Sequence, residues 1–377
     1  MSVGIYIHIP FCETKCNYCH FVTRPMQSAT AEHYRDALLK ELEVKSSAGC
    51  EREPADSVYF GGGTPSVVPT GHIDEFLSSC RNSFDISPES EITLEANPGS
   101  LADAKVDAYR AAGINRVSLG AQSLDDDELV SIGRDHTGEQ IEDSVRLLRR
   151  GGIRNISLDL MLGLPGQNAA QWSANLDRVA SMMPGHISVY MLDLHEKSPL
   201  YHLVAKGRHR LPDDDEVADL YLLTIDRLSS LGYGQYEISN FALPGHESRH
   251  NLKYWKRRPV LGFGVGSHSF DGCDRYANYS GLGEYLRAIG ERGSAVEWRR
   301  PVRAPEDLEE TLFLGLRLNE GLDWERLRST FGAERVAPFE ATLQEMTSRG
   351  LLVWADSVVR LTRAGMLLSN EIFSNFV

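Results

Sequence analysis

Between residues 3 and 192 the sequence alternates strand-like and helix-like runs six times, and this rhythm constrains the fold more than any other feature. Residues 3–9 are apolar and β-branched and read as a buried strand. Tyr34, Leu38 and Leu42 recur at helical spacing, which predicts a helix over 31–44. Further strands are predicted at 57–60, 91–96, 116–119, 156–161 and 186–192, with helices at 73–80, 102–112, 139–150 and 170–182. Gly113 and the pair Gly151-Gly152 stop two of these helices. Strands alternating with helices build βαβ units and a parallel sheet. Six repeats fall short of the eight of a closed barrel, so a partial, open β/α barrel is expected. A doubly wound sheet is the alternative that pattern alone leaves open. Gly61, Glu95 and Gln122 fall at predicted C-terminal strand ends, where a β/α barrel keeps its chemistry.

Past Leu192 the rhythm changes. Residues 195–207 read as irregular, and 213–231 as a helix opening on Asp213-Asp214-Asp215-Glu216. That acidic run is read as charge favoured by the helix dipole, not as a metal site. A strand is predicted at 236–240, helices at 306–317, 324–331 and 338–349, a hairpin at 351–361 and a last helix after it. This C-terminal part is mainly helical and winged-helix-like. It lacks a basic recognition helix, so it reads as a packing or partner domain. The expected division is a barrel over 1–235, a connecting segment over 236–300 and the C-terminal domain over 301–377.

The formal net charge of −14 sets the chain against a broad nucleic-acid footprint, which needs clustered Lys and Arg. No apolar run approaches the roughly 18–20 residues of a membrane span, and the N-terminus lacks the basic and apolar regions of a signal peptide. With thiols held close together, the expected compartment is the cytoplasm.

Those thiols are Cys12, Cys16 and Cys19, three within eight residues in a loop after the first strand and Pro10. Thiolates are soft ligands that suit zinc or iron–sulfur. His20 stands beside Cys19 as a fourth ligand for zinc, but no second Cys/His knuckle follows. Cys50, Cys80 and Cys273 are scattered and read as ordinary thiols. Three thiolates on a cubane cluster leave one iron open to a small molecule.

The Cys-x3-Cys-x2-Cys spacing resembles the signature of the radical S-adenosylmethionine (SAM) family, and Gly61-Gly62-Gly63-Thr64-Pro65 stands where that family contacts the SAM amino group. The resemblance implies a 4Fe–4S cluster on the three cysteines with SAM chelating the open iron. Within the family, several segments resemble the oxygen-independent coproporphyrinogen III oxidase branch: Tyr6-Ile-His-Ile-Pro-Phe11, Leu94-Glu95-Ala96-Asn97-Pro98, Gly120-Ala121-Gln122-Ser123, Gly133-Arg134-Asp135-His136 and Leu158-Asp159-Leu160. On that resemblance Tyr6, Gly62, Gly63, Thr64, Glu95, Gln122, Arg134 and Asp159 are expected to contact SAM. Two departures set the chain apart from the oxidase. Its pattern carries a fourth cysteine two positions past the third, where this sequence has Phe21, and it carries an N-terminal extension.

His250-Asn251-Leu252-Lys253-Tyr254-Trp255 resembles the His-Asn-x-x-Tyr-Trp segment of the HemW-type haem chaperones. Taken alone, a histidine beside Tyr and Trp is more often part of a packed, hydrogen-bonded core. The resemblance implies haem held by His250, Tyr254 and Trp255, with imidazole on the iron and rings over the macrocycle. Leu361-Thr362-Arg363-Ala364-Gly365 through Asn370-Glu371 resembles the same branch. The implied function is haem delivery to acceptor haemoproteins, such as respiratory enzymes, with an electron donor for the cluster and peripheral contact with membrane-bound acceptors. The alternative is a radical SAM enzyme acting on porphyrinogen. Gly262, Gly264 and Gly266 do not form a nucleotide fingerprint and are expected to permit close backbone packing.

Overall fold

The computed structural model describes residues 2–46 and 52–376; Cys50 lies outside the described residues. Six parallel strands lie side by side in chain order: β1 (Val3–Ile9), β2 (Glu53–Gly62), β3 (Phe84–Ala96), β4 (Arg116–Gln122), β5 (Asn155–Leu162) and β6 (His186–Met191). Between them run α1 (Ser28–Ser46), α2 (Thr70–Ser83), α3 (Asp103–Ala112), α4 (Gly138–Arg150) and α5 (Ala169–Ser181). Consecutive parallel pairing is that of a β/α barrel, not of a doubly wound sheet, whose strand order reverses. The sheet does not close on itself, so the barrel is open.

Alternation along each strand divides its residues between two surroundings. On β1, Ile5, Ile7 and Ile9 are fully buried and join Leu38 and Leu42 of α1 in the core. Each such side chain contributes roughly 1.5–3 kcal/mol of burial. Gly4, Tyr6 and His8 take the other face, together with Ser57, Tyr59 and Gly61 of β2. α4 buries Ile141, Val145 and Leu148 at helical spacing and starts on a reciprocal cap between Thr137 and Gln140. The acidic run at 213–216 likewise proves to be a cap. Asp213 and Glu216 each accept the other's backbone N–H at 2.9 Å, opening α6 (Asp214–Ser230).

Residues 236–300, expected to connect two domains, instead extend the sheet at both edges. Asn240–Ala242 pairs antiparallel with β6, and Gly234–Glu237 pairs with it in turn. On the far side Val260–Phe263 lies parallel to β1, followed outward by His268–Phe270, Asp274–Asn278 and Val296–Pro301. These strands are only three to six residues long and broken by glycines, so their periodicity is weak. The expected packing role of those glycines holds: a Cβ on Gly262 would lie 2.5 Å from the His268 carbonyl oxygen, and Gly264 has φ +95°. The stretch 195–207, read as irregular, contains a helix at Pro199–Ala205 capped by Ser198.

The C-terminal part has helices Ala304–Gly315, Trp324–Phe331 and Ala333–Ser348 and a hairpin of Leu352–Ala355 with Val358–Leu361, to which Leu322–Asp323 adds a third strand. It is fastened to the sheet by Glu310, which binds Arg275 at 2.5 Å and Arg257 at 3.1 Å, and by Arg363 on Asp226 at 2.7 Å. No helix of the described residues is long and apolar enough to cross a membrane.

A candidate cofactor cavity at the strand ends

The parallel strands point their C-terminal ends at the cysteine loop, and between the two lies a cavity of about 410 Å³. That size is ordinary for a small-molecule site. Cys12, Cys16 and Cys19 line it together with Gly62, Gly63, Thr64, Glu95, Gln122, Arg134 and Asp159, so residues separated by up to 147 positions share one space.

The cysteine loop is held from both sides. Gly63 and Thr64 donate their backbone N–H groups to the carbonyls of Ile9 (2.8 Å) and Phe11 (2.7 Å). Asn17 is fixed by its N–H on the Ile132 carbonyl at 3.0 Å and by the Leu200 N–H on its own carbonyl at 2.9 Å. The glycines are sterically required here. A Cβ on Gly63 would sit 2.6 Å from the Phe11 carbonyl oxygen and 3.0 Å from Cys12 Sγ. Gly62 has φ +115°, and a Cβ there would meet the His8 ring at 2.5 Å.

The thiols are half-buried and unpaired. Thr64 Oγ1 donates to Cys12 Sγ at 3.7 Å, and Arg134 Nη1 to Cys16 Sγ at 3.3 Å. Burial pushes the Cys12 thiol up, against the partial compensation of the Thr64 bond. Thiolate ligation therefore needs a positive charge at the site, such as cluster iron. Among the described residues no three Cys, His, Asp or Glu side chains converge on a point for one metal ion. The His20 ring stacks on that of His195.

Glu95 accepts from the Tyr59 hydroxyl at 2.7 Å and from the Gly62 N–H at 3.1 Å. Burial pushes its carboxyl up to about 7 although both hydrogen bonds oppose the shift. Arg134 donates from Nη2 to the Gly120 carbonyl (2.5 Å) and Asn97 Oδ1 (3.0 Å), while its Nε is buried without a partner among the described residues. A guanidinium with spare donors facing a cavity is matched to a carboxylate. Asp159 is surrounded by the hydroxyls of Ser188 (2.8 Å), Ser118 (2.9 Å) and Ser157 (3.3 Å), and burial raises its pKa. Gln122 ends β4 at φ +65° and folds its amide back over Gly120.

Four expected residues lie elsewhere. Tyr6 is placed below the cavity, its ring stacked on Tyr59 at 6.2 Å and its hydroxyl 3.1 Å from His8 Nδ1. His250 lies at the opposite end of the barrel on the helix Arg249–Trp255 (α7), which plugs the interior. It is 1 % exposed; Ser57 Oγ lies 3.0 Å from its Nδ1 and the Tyr254 hydroxyl 3.2 Å from its Nε2. Burial drives its pKa down to about 3. Trp255 is directed away under the Arg317 guanidinium, 4.3 Å from the ring centroid. Both imidazole nitrogens of His250 thus have hydrogen-bond partners, and its ring meets that of Tyr254 edge-on at 5.4 Å while Trp255 faces Arg317.

Sequence reasoning passed over Tyr59, Asn97, Ser118, Tyr190 and Met191, which are among the further residues lining the cavity. Tyr59 and Ser118 were findable by counting two residues along their strands from Gly61 and Gly120. The others carry no local signal.

A family profile described as the radical SAM superfamily matches residues 6–179, and one described as the HemN C-terminal domain matches residues 302–368. The haem chaperone HemW of Bacillus subtilis is 36% identical over 373 residues, covering 99% of this chain and 98% of that protein. HemW of Mycobacterium tuberculosis (strain H37Rv) is 33% identical, covering 98% and 93%. The solved structure of coproporphyrinogen III oxidase (HemN) from Escherichia coli, described as a radical SAM enzyme, covers all of this chain and 90% of its own with a TM-score of 0.87. At 23% identity that likeness speaks for the fold alone. Identity above 30% over nearly the whole length goes further, and the chain belongs to the HemW-type haem chaperone family of the radical SAM superfamily.

Proposed function

We propose that this protein is a haem chaperone on a radical SAM scaffold, which holds a 4Fe–4S cluster and SAM and passes haem, its cargo, to acceptor proteins. The observation that carries the reading is the meeting of three unpaired thiols, a glycine loop, a carboxylate and a guanidinium in one cavity. Cys12, Cys16 and Cys19 hold the cluster. Gly62, Gly63 and Thr64 fix the approach of SAM, Arg134 pairs with its carboxylate, and Glu95, Gln122 and Asp159 take its amino and hydroxyl groups. Tyr6 acts from below, by backing the Tyr59 that orients Glu95. When bound, the cluster supplies an electron at the open iron. Residues 1–300 form the cofactor-binding body and 301–377 the module that meets partners. Respiratory enzymes, some approached at a membrane surface, are the acceptors proposed, along with a reductant for the cluster and a cytoplasmic setting.

An anaerobic haem titration of cluster-reconstituted protein, with coproporphyrinogen conversion assayed in the same preparation, tests the reading. Saturable haem binding without conversion supports it. Conversion without specific haem binding overturns it and returns the protein to the enzymes.

A further inference from the structure

We propose that Tyr236, His186 and Ser157 form a one-way hydrogen-bond chain that aims the Ser157 hydroxyl at Asp159 and so readies this carboxylate for SAM; the inference rests on Asp159 being a SAM contact. Asp159 lines the cofactor cavity and the other three do not, so they are positioning residues.

The chain is built across adjacent strands. Ser157 and Asp159 stand two apart on β5, on one face of the sheet, and Ser157 is opposite His186 in the register of β5 with β6. Ser157 Oγ lies 3.3 Å from Asp159 Oδ1 and 2.8 Å from His186 Nδ1. His186 Nε2 lies 2.8 Å from the Tyr236 hydroxyl, which accepts the Ser248 N–H at 3.3 Å. Ser157 and His186 are fully buried, so their polar atoms find partners within the protein.

The direction of the chain is fixed from both ends. The Tyr236 oxygen already accepts from Ser248 and keeps one proton to give, and among the described residues His186 Nε2 is its remaining partner. Burial, and after it the Arg116 guanidinium, lower the pKa of His186, so the ring is neutral and carries one proton. With Nε2 accepting from Tyr236, that proton sits on Nδ1 and is donated to Ser157 Oγ. Ser157 then gives its own proton to Asp159. The other tautomer would make Nδ1 an acceptor and draw the Ser157 proton away from the carboxylate. Burial raises the pKa of Asp159, and the Ser188, Ser118 and Ser157 hydroxyls each oppose that rise. The chain thus helps keep Asp159 ionised, the form that accepts from two ligand donors at once.

Two measurements test the proposal on the full chain. The first is the His186 tautomer in protein carrying 15N-labelled histidine, read from long-range 1H–15N spectra and assigned by its loss in His186→Gln. The second is SAM affinity by equilibrium dialysis after anaerobic cluster reconstitution, with iron and sulfide measured for each variant. The wild type is expected to show the Nδ1-protonated ring. Ser157→Ala is expected to weaken SAM binding by roughly three- to tenfold, the worth of one hydrogen bond. Tyr236→Phe, two members further back, should weaken it by a smaller factor. The double variant should lose no more than Ser157→Ala alone, because the chain acts only through that hydroxyl. An Nε2-protonated ring, unchanged affinity in Ser157→Ala, or losses that multiply in the double variant overturn the proposal. Should Ser157→Ala fail to fold, Tyr236→Phe decides. Weaker SAM binding with a diminished Nδ1-protonated signal supports the chain, and unchanged binding rejects it. Asp159→Asn separates the premise from the chain. If it binds SAM as the wild type does, Asp159 is not a SAM contact and the proposal falls with that reading; if it binds weakly while Ser157→Ala does not, the chain alone is rejected.

Discussion

The Tyr59 hydroxyl donates to Glu95 Oε1 at 2.7 Å, and the Tyr59 ring stacks on His250 at 5.1 Å. One aromatic side chain thus joins the cavity carboxylate to the helix that closes the far end of the barrel. His250 in turn binds Ser57 of β2, and its backbone N–H donates to Glu91 of β3 at 3.0 Å. The segment that resembles a haem motif is thereby packed against the strands that carry the cofactor cavity.

Substituting Glu95 by Gln will stabilise the SAM-free protein at high pH. Its carboxyl rises from an ordinary 4.5 to about 7 on folding, so the wild type is fully stable with respect to this group only below pH 4.5. Stability is lost as pH rises through 7, by about 3 kcal/mol at the limit. Thermal melts of Glu95→Gln and wild type should diverge at pH 8, the variant being higher, and converge toward pH 5. Parallel curves would show that Glu95 is not held in a low-dielectric site.

His250→Ala will cost stability. It removes a fully buried ring and leaves Ser57 and Tyr254 hydroxyls without their partner, a loss of about 2–4 kcal/mol. A lowered urea midpoint is expected, with weaker SAM binding through loss of the Tyr59 stack. An unchanged midpoint would mean that α7 is not docked in the barrel.

Gly63→Ala will displace the cysteine loop. The added methyl meets the Phe11 carbonyl at 2.6 Å, and neither backbone can yield without breaking the Gly63–Ile9 hydrogen bond. Iron and sulfide after anaerobic reconstitution should fall well below three-quarters of the wild-type value, while far-ultraviolet circular dichroism stays unchanged.

Arg134→Lys will not substitute for arginine. A single ammonium cannot serve Cys16, Asn97, the Gly120 carbonyl and a ligand carboxylate together. SAM affinity measured by equilibrium dialysis should drop about tenfold, about 1.4 kcal/mol, and equal affinity would remove Arg134 from the site.

The sequence by itself determined the parallel strands, the helices between them and the cysteine loop. These follow from local rules: hydrophobic periods of two and 3.6, helix caps, glycine stops, and soft ligands at close spacing. The gathering of Glu95, Gln122, Arg134 and Asp159 was legible only because strand ends in such a barrel share one rim. Tertiary structure decided the rest. Register set Tyr59 near Glu95, the folding of two loops set His20 against His195, and the short edge strands of 260–301 formed because an existing sheet edge offered them partners. It also decided the state of His250. A sequence can show that imidazole stands near two aromatic rings, but the fold determines whether its nitrogens face solvent or lie spent on Ser57 and Tyr254. The reason is that hydrogen-bond saturation and burial depend on neighbours 193 positions away, which no local pattern encodes.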